Sequence, residues 1–184
     1  MTIYDVTDKA NVIVISETPY VGNAYTHQGW LIDETMTHLL LDDELDELEQ
    51  VGPPAGELGG LVNHTTTYLW DIRNLDSPVN TGYYQSPAKS IDHNQYTVAG
   101  LSYQSNYGSG LRIIDVSGVP VDPTGGNIEE VGFFDCHPED DAYGEVEFLG
   151  TWSVYPYFKS GYILLNSIER GIFSLKYTGR GKAF

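Results

Sequence analysis

The sequence predicts an all-β chain, a β-propeller of four-stranded blades of which about three and a half are present. Three observations carry that prediction: a recurring strand-and-turn phrase, a spacing of 44 residues between two of its copies, and a strand-forming composition. Fourteen Tyr, six Phe and three Trp stand beside twenty Gly in 184 residues, which favours short strands and many turns over a helical bundle. At 41 % apolar the chain can bury one sizeable core, and a second domain is not required.

The phrase is clearest at Tyr68–Pro78, "YLWDIRNLDSP", where an apolar run meets an aspartate and then a polar turn ending in proline. It recurs at Tyr4-Asp5-Val6 and at Ile114-Asp115-Val116, and a degenerate copy, "GIFSLKYTG", carries Ser174 at the place read for the aspartate. The likeness extends further: His27 follows Asp5 by 22 residues, and His93 follows Asp71 by 22. That agreement spans several strands and turns, so the unit is a supersecondary module.

Each module reads as four strands. The first follows the histidine ("QGWLIDE", "NQYTVAG", and "WSVYPYF" in the third copy), and the second is "HLLLDD", "LSYQSN" or "YILLNS". The third bears the aspartate ("TTYLWDI", "LRIIDV", "IFSLKY"), and the fourth lies beyond a Pro/Asp/Gly-rich link ("VIVISETPY", "VNTGYYQSP", "EEVGFFD"). Four short strands at this spacing are the mark of propeller blades. The expected division is the end of a first blade over 1–24, a blade over 25–88 with a Gly/Pro-rich insertion at 48–64, a blade over 89–136, and an incomplete blade over 145–184. A β-sandwich needs no internal repeat, and β-helix repeats are shorter. The acidic run "DDELDELEQV" has too few apolar positions for an amphipathic helix. Because a propeller closes into a ring of four to eight blades, the chain is expected to be part of a longer propeller, or half of a ring completed by a second copy.

These phrases resemble the LVIVD repeat. "THQGWLIDETMTHLLLDDELDE", "HTTTYLWDIRNLDSP", "IDHNQY", "SNYGSGLRIIDVS" and "ILLNSIERGIFSL" are similar to segments of choice-of-anchor B family proteins. That resemblance implies a β-propeller on a microbial cell surface and no established catalytic activity. Family members carry upstream blades, an export signal and often an anchor, which supports the reading as a partial chain.

The formal charge of −17 argues against a nucleic-acid partner, which would need basic patches. No apolar run reaches membrane-spanning length, and the first residues lack the pattern of a signal peptide. The single cysteine, Cys136, excludes an intrachain disulfide and reads as core packing.

Candidate sites follow from the modules. His27 and His93, with Trp152 at the third equivalent place, are expected at the mouth of a central channel. There the imidazoles could bind a transition metal, act as acid and base, or tie neighbouring blades together through backbone hydrogen bonds. The run Asp42, Asp43, Glu44, Asp46, Glu47 and Glu49 offers carboxylates for Ca²⁺, although without the spacing of a calcium loop it also reads as a solvated acidic turn. Glu139, Asp140 and Asp141 form a second, weaker acidic candidate. Asp5, Asp71 and Asp115 are read as turn-closing residues, because a group repeated in every copy is doing the same local job in each. His38 falls in a strand pattern, His64 in a loop, and Asn63-His64-Thr65 matches a glycosylation sequon. Tyr83, Tyr84, Tyr103, Tyr107, Tyr155 and Tyr157 either pack between blades or offer a surface to sugars or peptides.

The expected function is therefore a non-catalytic cell-surface or secreted binding or scaffolding module, with Ca²⁺ as the candidate stabilising ion and a protein or carbohydrate as ligand. The competing class is a metal-dependent extracellular hydrolase with its site at the channel mouth.

Overall fold

In the computed structural model, which describes residues 1–53, 60–139, 141 and 146–179, nearly all regular structure is antiparallel β. Strands β1 (Thr2–Asp5) and β2 (Ile13–Glu17) pair as a two-stranded ribbon. Strands β3 (Thr26–Leu31), β4 (His38–Asp43), β5 (His64–Asp71) and β6 (Val79–Lys89) form a four-stranded sheet in that order. A second four-stranded sheet holds β7 (Asn94–Val98), β8 (Leu101–Asn106), β9 (Gly110–Asp115) and β10 (Glu129–Phe134). Strands β11 (Thr151–Tyr155), β12 (Tyr162–Ser167) and β13 (Gly171–Lys176) make a three-stranded sheet. A single helical turn, α1 (Asp46–Glu49), follows β4. Among the described residues the four sheets do not close into a ring. No helix among the described residues is long and apolar enough to cross a membrane.

Local chemistry explains the hairpins. The β7–β8 turn has Ala99 and Gly100 at φ 51° and 83°, the paired left-handed conformation that matches strand twist in a two-residue loop. The repeated aspartates close the turns after their strands: Asp5, Asp71 and Asp115 each accept, through Oδ1, the backbone N–H two residues on, at 2.8, 3.0 and 2.9 Å. Strand register corrects one equivalence. Gly110 and Gly171 open matching strands, so Asp115 corresponds to Lys176, while Ser174 lies mid-strand opposite Leu164. His64 is the first residue of β5 and lies outside any loop.

Successive sheets pack face to face, each interface with its own apolar layer. Tyr20, Leu41, Tyr68 and Trp70 fill the layer on the first four-stranded sheet, flanked by Met1 and Leu39. Leu40, Leu69, Ile114, Val116 and Val119 lie between the two four-stranded sheets. Tyr103, Leu111, Ile113, Val154, Ile163 and Leu165 lie between the second of these and the three-stranded sheet. Strands β4 and β5 have both faces covered, so unbroken apolar stretches, Leu39–Leu41 and Tyr68–Trp70, sit beside buried polar residues, Asp42 and Asp43 in β4 and Thr65, Thr66 and Thr67 in β5.

The first strands of the three larger sheets, β3, β7 and β11, lie next to one another. Side chains tie them together. Gln28 bonds both the carbonyl and the amide of Gln95, at 3.0 and 2.9 Å, and Thr97 Oγ1 donates to the Leu31 carbonyl at 2.7 Å.

Candidate functional site

The candidate side chains gather where β3, β7 and β11 meet and where β4 runs into α1. A register shift in β3 leaves His27 as an extra residue between the pairs Thr26–Asp43 and Gln28–Asp42, and the same irregularity in β11 leaves Trp152 unpaired. Such bulges re-aim a side chain, and here both reach the neighbouring sheet. His27 Nδ1 donates to the His93 carbonyl at 2.9 Å, and His93 Nδ1 donates to the Trp152 carbonyl at 2.5 Å. The His27 and His93 rings stack at 4.3 Å, and His93 lies 4.5 Å from Trp152. Thus His27, His93 and Trp152 form one continuous stack across three sheets.

Glu44 completes this group. Its carboxylate oxygens lie 3.8 Å from His27 Nε2 and 3.7 Å from His93 Nε2, and Tyr107 Oη donates to it at 2.6 Å. A carbonyl only accepts, so each Nδ1 that bonds one carries a proton, and in the neutral form of either ring Nε2 would be the lone pair facing Glu44, the tautomer a metal ligand requires; Asn94 Nδ2 also lies 2.6 Å from His93 Nδ1. Burial pushes the His93 imidazolium below its ordinary range, and burial with Glu44 alongside raises the Tyr107 phenol.

The acidic run does not converge on one ion. Its strand portion alternates faces, so neighbours part company. Asp42 points into a buried polar layer, accepting from Gln95 Nε2 at 2.7 Å while Gln104 bonds Thr67 at 2.7 Å nearby; burial pushes its carboxyl up to about 8. Asp43 points the other way, and its oxygens take Tyr20 Oη at 2.5 Å, the Ala24 amide at 3.0 Å and the Tyr25 amide at 2.6 Å. Glu44 joins the histidines. Asp46 and Glu47 meet Asp92, a residue the sequence reading passed over, and all three are buried. Glu49 is exposed. Four of these run carboxylates are therefore interior, against the solvated-turn alternative: Asp42 and Asp43 because β4 is covered on both faces, Asp46 and Glu47 because one helical turn folds the chain back, with Asp46 against Tyr68.

Around Asp46, Glu47 and Asp92 each carboxylate is held by one oxygen. Tyr68 Oη donates to Asp46 Oδ2 at 2.7 Å, and the single Thr66 amide donates to Glu47 Oε1 at 3.1 Å and Asp92 Oδ2 at 3.2 Å. The other three oxygens, Asp46 Oδ1, Glu47 Oε2 and Asp92 Oδ1, are buried without a hydrogen-bond partner. Burial foremost pushes the Asp46 carboxyl up to about 7 and those of Glu47 and Asp92 well above the ordinary carboxylate range.

Elsewhere, Glu139 pairs with Arg170 at the surface at 2.8 Å, Asp141 is exposed, and Asp140 lies outside the described residues. Tyr103 and Tyr107 are core side chains, and Tyr83 and Tyr84 are half-buried. Tyr155 and Tyr157 are exposed and contact one another at 5.5 Å. Tyr157 also borders a groove of about 760 Å³ lined by Trp30, Leu31, Ile32, Leu39 and Val98.

The chain matches no family model, no curated protein and no solved structure.

Proposed function

We propose that this chain is part of an extracellular β-propeller of the LVIVD, choice-of-anchor B kind, acting as a non-catalytic binding or scaffolding module. The observation that carries the reading is the way β3, β7 and β11 lie side by side while each successive pair of sheets encloses its own apolar layer. That is the packing expected of adjacent blades around an axis. The first strands would line that axis, and the His27, His93, Trp152 stack would lock one blade to the next. Apolar side chains left exposed on the outer sheets, among them Val12, Ile13 and Val14 in or beside β2 and Ile172 in β13, are surfaces that further blades or a second copy would cover. A protein or carbohydrate ligand would meet Trp30 and Tyr157 at the groove.

Light scattering of the purified chain over a concentration series tests this reading. A defined dimer, or self-association that added blades suppress, is the expected outcome. A compact monomer at all concentrations would overturn it.

One observation favours a second reading as a metal-dependent hydrolase: the convergence of His27, His93 and Glu44, whose donor atoms lie within 4.8 Å of one another. Titration with Co²⁺ would reveal such a centre by its visible absorption, removed by His93→Ala. The backbone ties of both rings account for the same residues without a metal, and a spectrum unchanged by cobalt would retire the hydrolase.

A further inference from the structure

Asp46, Glu47 and Asp92 pose an electrostatic problem that the protein itself does not answer. Their donor atoms all lie within 4.8 Å of one another, and their side chains are almost fully buried, at 0, 4 and 1 % exposed. Ionised carboxylates so placed repel strongly, and an unpaired charge removed from water costs several kcal/mol or more. The charges acting on them most strongly are those of neighbouring acids. Among the described residues the Tyr68 hydroxyl and the Thr66 amide donate to the three groups, with the Glu47 amide also close to Asp46 and Glu47, and no cationic side chain pairs with them.

A second observation concerns what those donors leave over. Each carboxylate is fixed by one oxygen and keeps the other buried and unpartnered. Native proteins seldom leave such atoms unsatisfied without a ligand, ion or water to meet them. The side-chain oxygen of Asn63 is likewise buried and unpartnered, and it lies on the wall of a cavity of about 50 Å³ that Asp46, Glu47, His64 and Thr66 also line. Thus Asn63 and two of the three carboxylate residues line one small cavity.

We propose that Asp46, Glu47 and Asp92, each through one carboxylate oxygen and with Asn63 beside them on the cavity wall, hold one calcium-class divalent cation. Two oxygens on opposite sides of a Ca²⁺ ion at about 2.3–2.6 Å stand about 5 Å apart, so a group within 4.8 Å can share one ion. An all-oxygen set of three carboxylates suits a hard cation and not the softer metals that imidazole or thiolate select. Water from the cavity would complete the coordination. The ion would link α1 and the residue before His93, so it would fix the first four-stranded sheet against the chain entering the next. The inference does not depend on ring closure, because every ligand comes from residues 46–92 of one chain.

Terbium luminescence in the chelator-stripped chain is the direct test. Tyr68, bonded to Asp46, would sensitise bound Tb³⁺, giving saturable emission at one ion per chain that Ca²⁺ displaces. At a hundredfold excess over its Kd, Ca²⁺ would raise the melting temperature by about 5–10 °C. Asp92→Asn would abolish both responses, while Asp42→Asn, which alters a carboxylate outside the set, would keep them. Should Asp92→Asn fail to fold, Glu47→Gln serves in its place. No saturable emission and no thermal shift in the unaltered chain, or undiminished binding in Asp92→Asn or Glu47→Gln, would overturn the proposal and assign the buried charge to shared protons. Neither result bears on the light-scattering test of the module reading.

Discussion

Replacing Asp43 with alanine should destabilise the fold severely. The carboxylate is fully buried and accepts three hydrogen bonds, from the Tyr20 hydroxyl and from the amides of Ala24 and Tyr25. Through them it clamps the segment between β2 and β3 onto the end of β4. Tyr20 is buried against Tyr68 and Trp70, at ring separations of 4.8 and 5.8 Å, so its hydroxyl loses most of its hydrogen bonding when the carboxylate goes, keeping Thr26 Oγ1. Losing a buried bond to a charged acceptor costs about 1.5–3 kcal/mol, and each amide, nearer to water, adds about 1 kcal/mol, giving a loss of about 3–5 kcal/mol. Asp43→Asn keeps one accepting oxygen and should lose about half as much. Urea unfolding followed by tryptophan fluorescence would measure both, with an unchanged m-value marking a true stability change. A loss below about 1 kcal/mol for the alanine variant would refute the reasoning, since it would mean that water replaces all three bonds.

Further outcomes are expected. In the cation-free chain, the raised carboxyls of Asp42 and Asp46, at about 8 and about 7, make the folded state bind protons more tightly than the unfolded one. Their contribution is present below the unfolded carboxyl pKa of about 4 and is lost as pH rises toward 8; a urea midpoint that climbs between about pH 5 and 8 would contradict this. Leu69→Ala empties a wholly buried site in the layer between the two four-stranded sheets, with an expected loss of about 2–5 kcal/mol by denaturant titration. Gly82→Ala would put a methyl group 2.2 Å from the Thr124 carbonyl oxygen, and backbone must move to admit it. A melting temperature lower by several degrees is expected, and an unchanged one would show that the 124–126 turn yields freely.

Much of this could be read from residues alone where the signal is local. The phrase around Asp5, Asp71 and Asp115 marks real strand ends because an aspartate that caps its own turn needs only the residue two places on. The equal spacing that paired His27 with His93 also located the stack, since both sit at the entry to a first strand. The acidic run was harder. Composition cannot tell which carboxylates an alternating strand sends inward, nor that one helical turn will bury Asp46 and Glu47. Asp92 stood in view beside His93, but its partners lie 45 and 46 residues earlier, and only the fold of β5 and β6 returns the chain to them. Ser174 is not the counterpart of the aspartates; a strand that lacks its aspartate offers no landmark except the glycine that opens it.

Each larger sheet is woven from one unbroken stretch, 26–89, 94–134 and 151–176, and leans chiefly on the stretch synthesised just before it. On the ribosome the sheet of 94–134 would therefore emerge over about 2–8 s with its neighbour already complete as a template. No strand need wait for a distant partner. A segment inserted between two sheets would disturb only the two faces it separates.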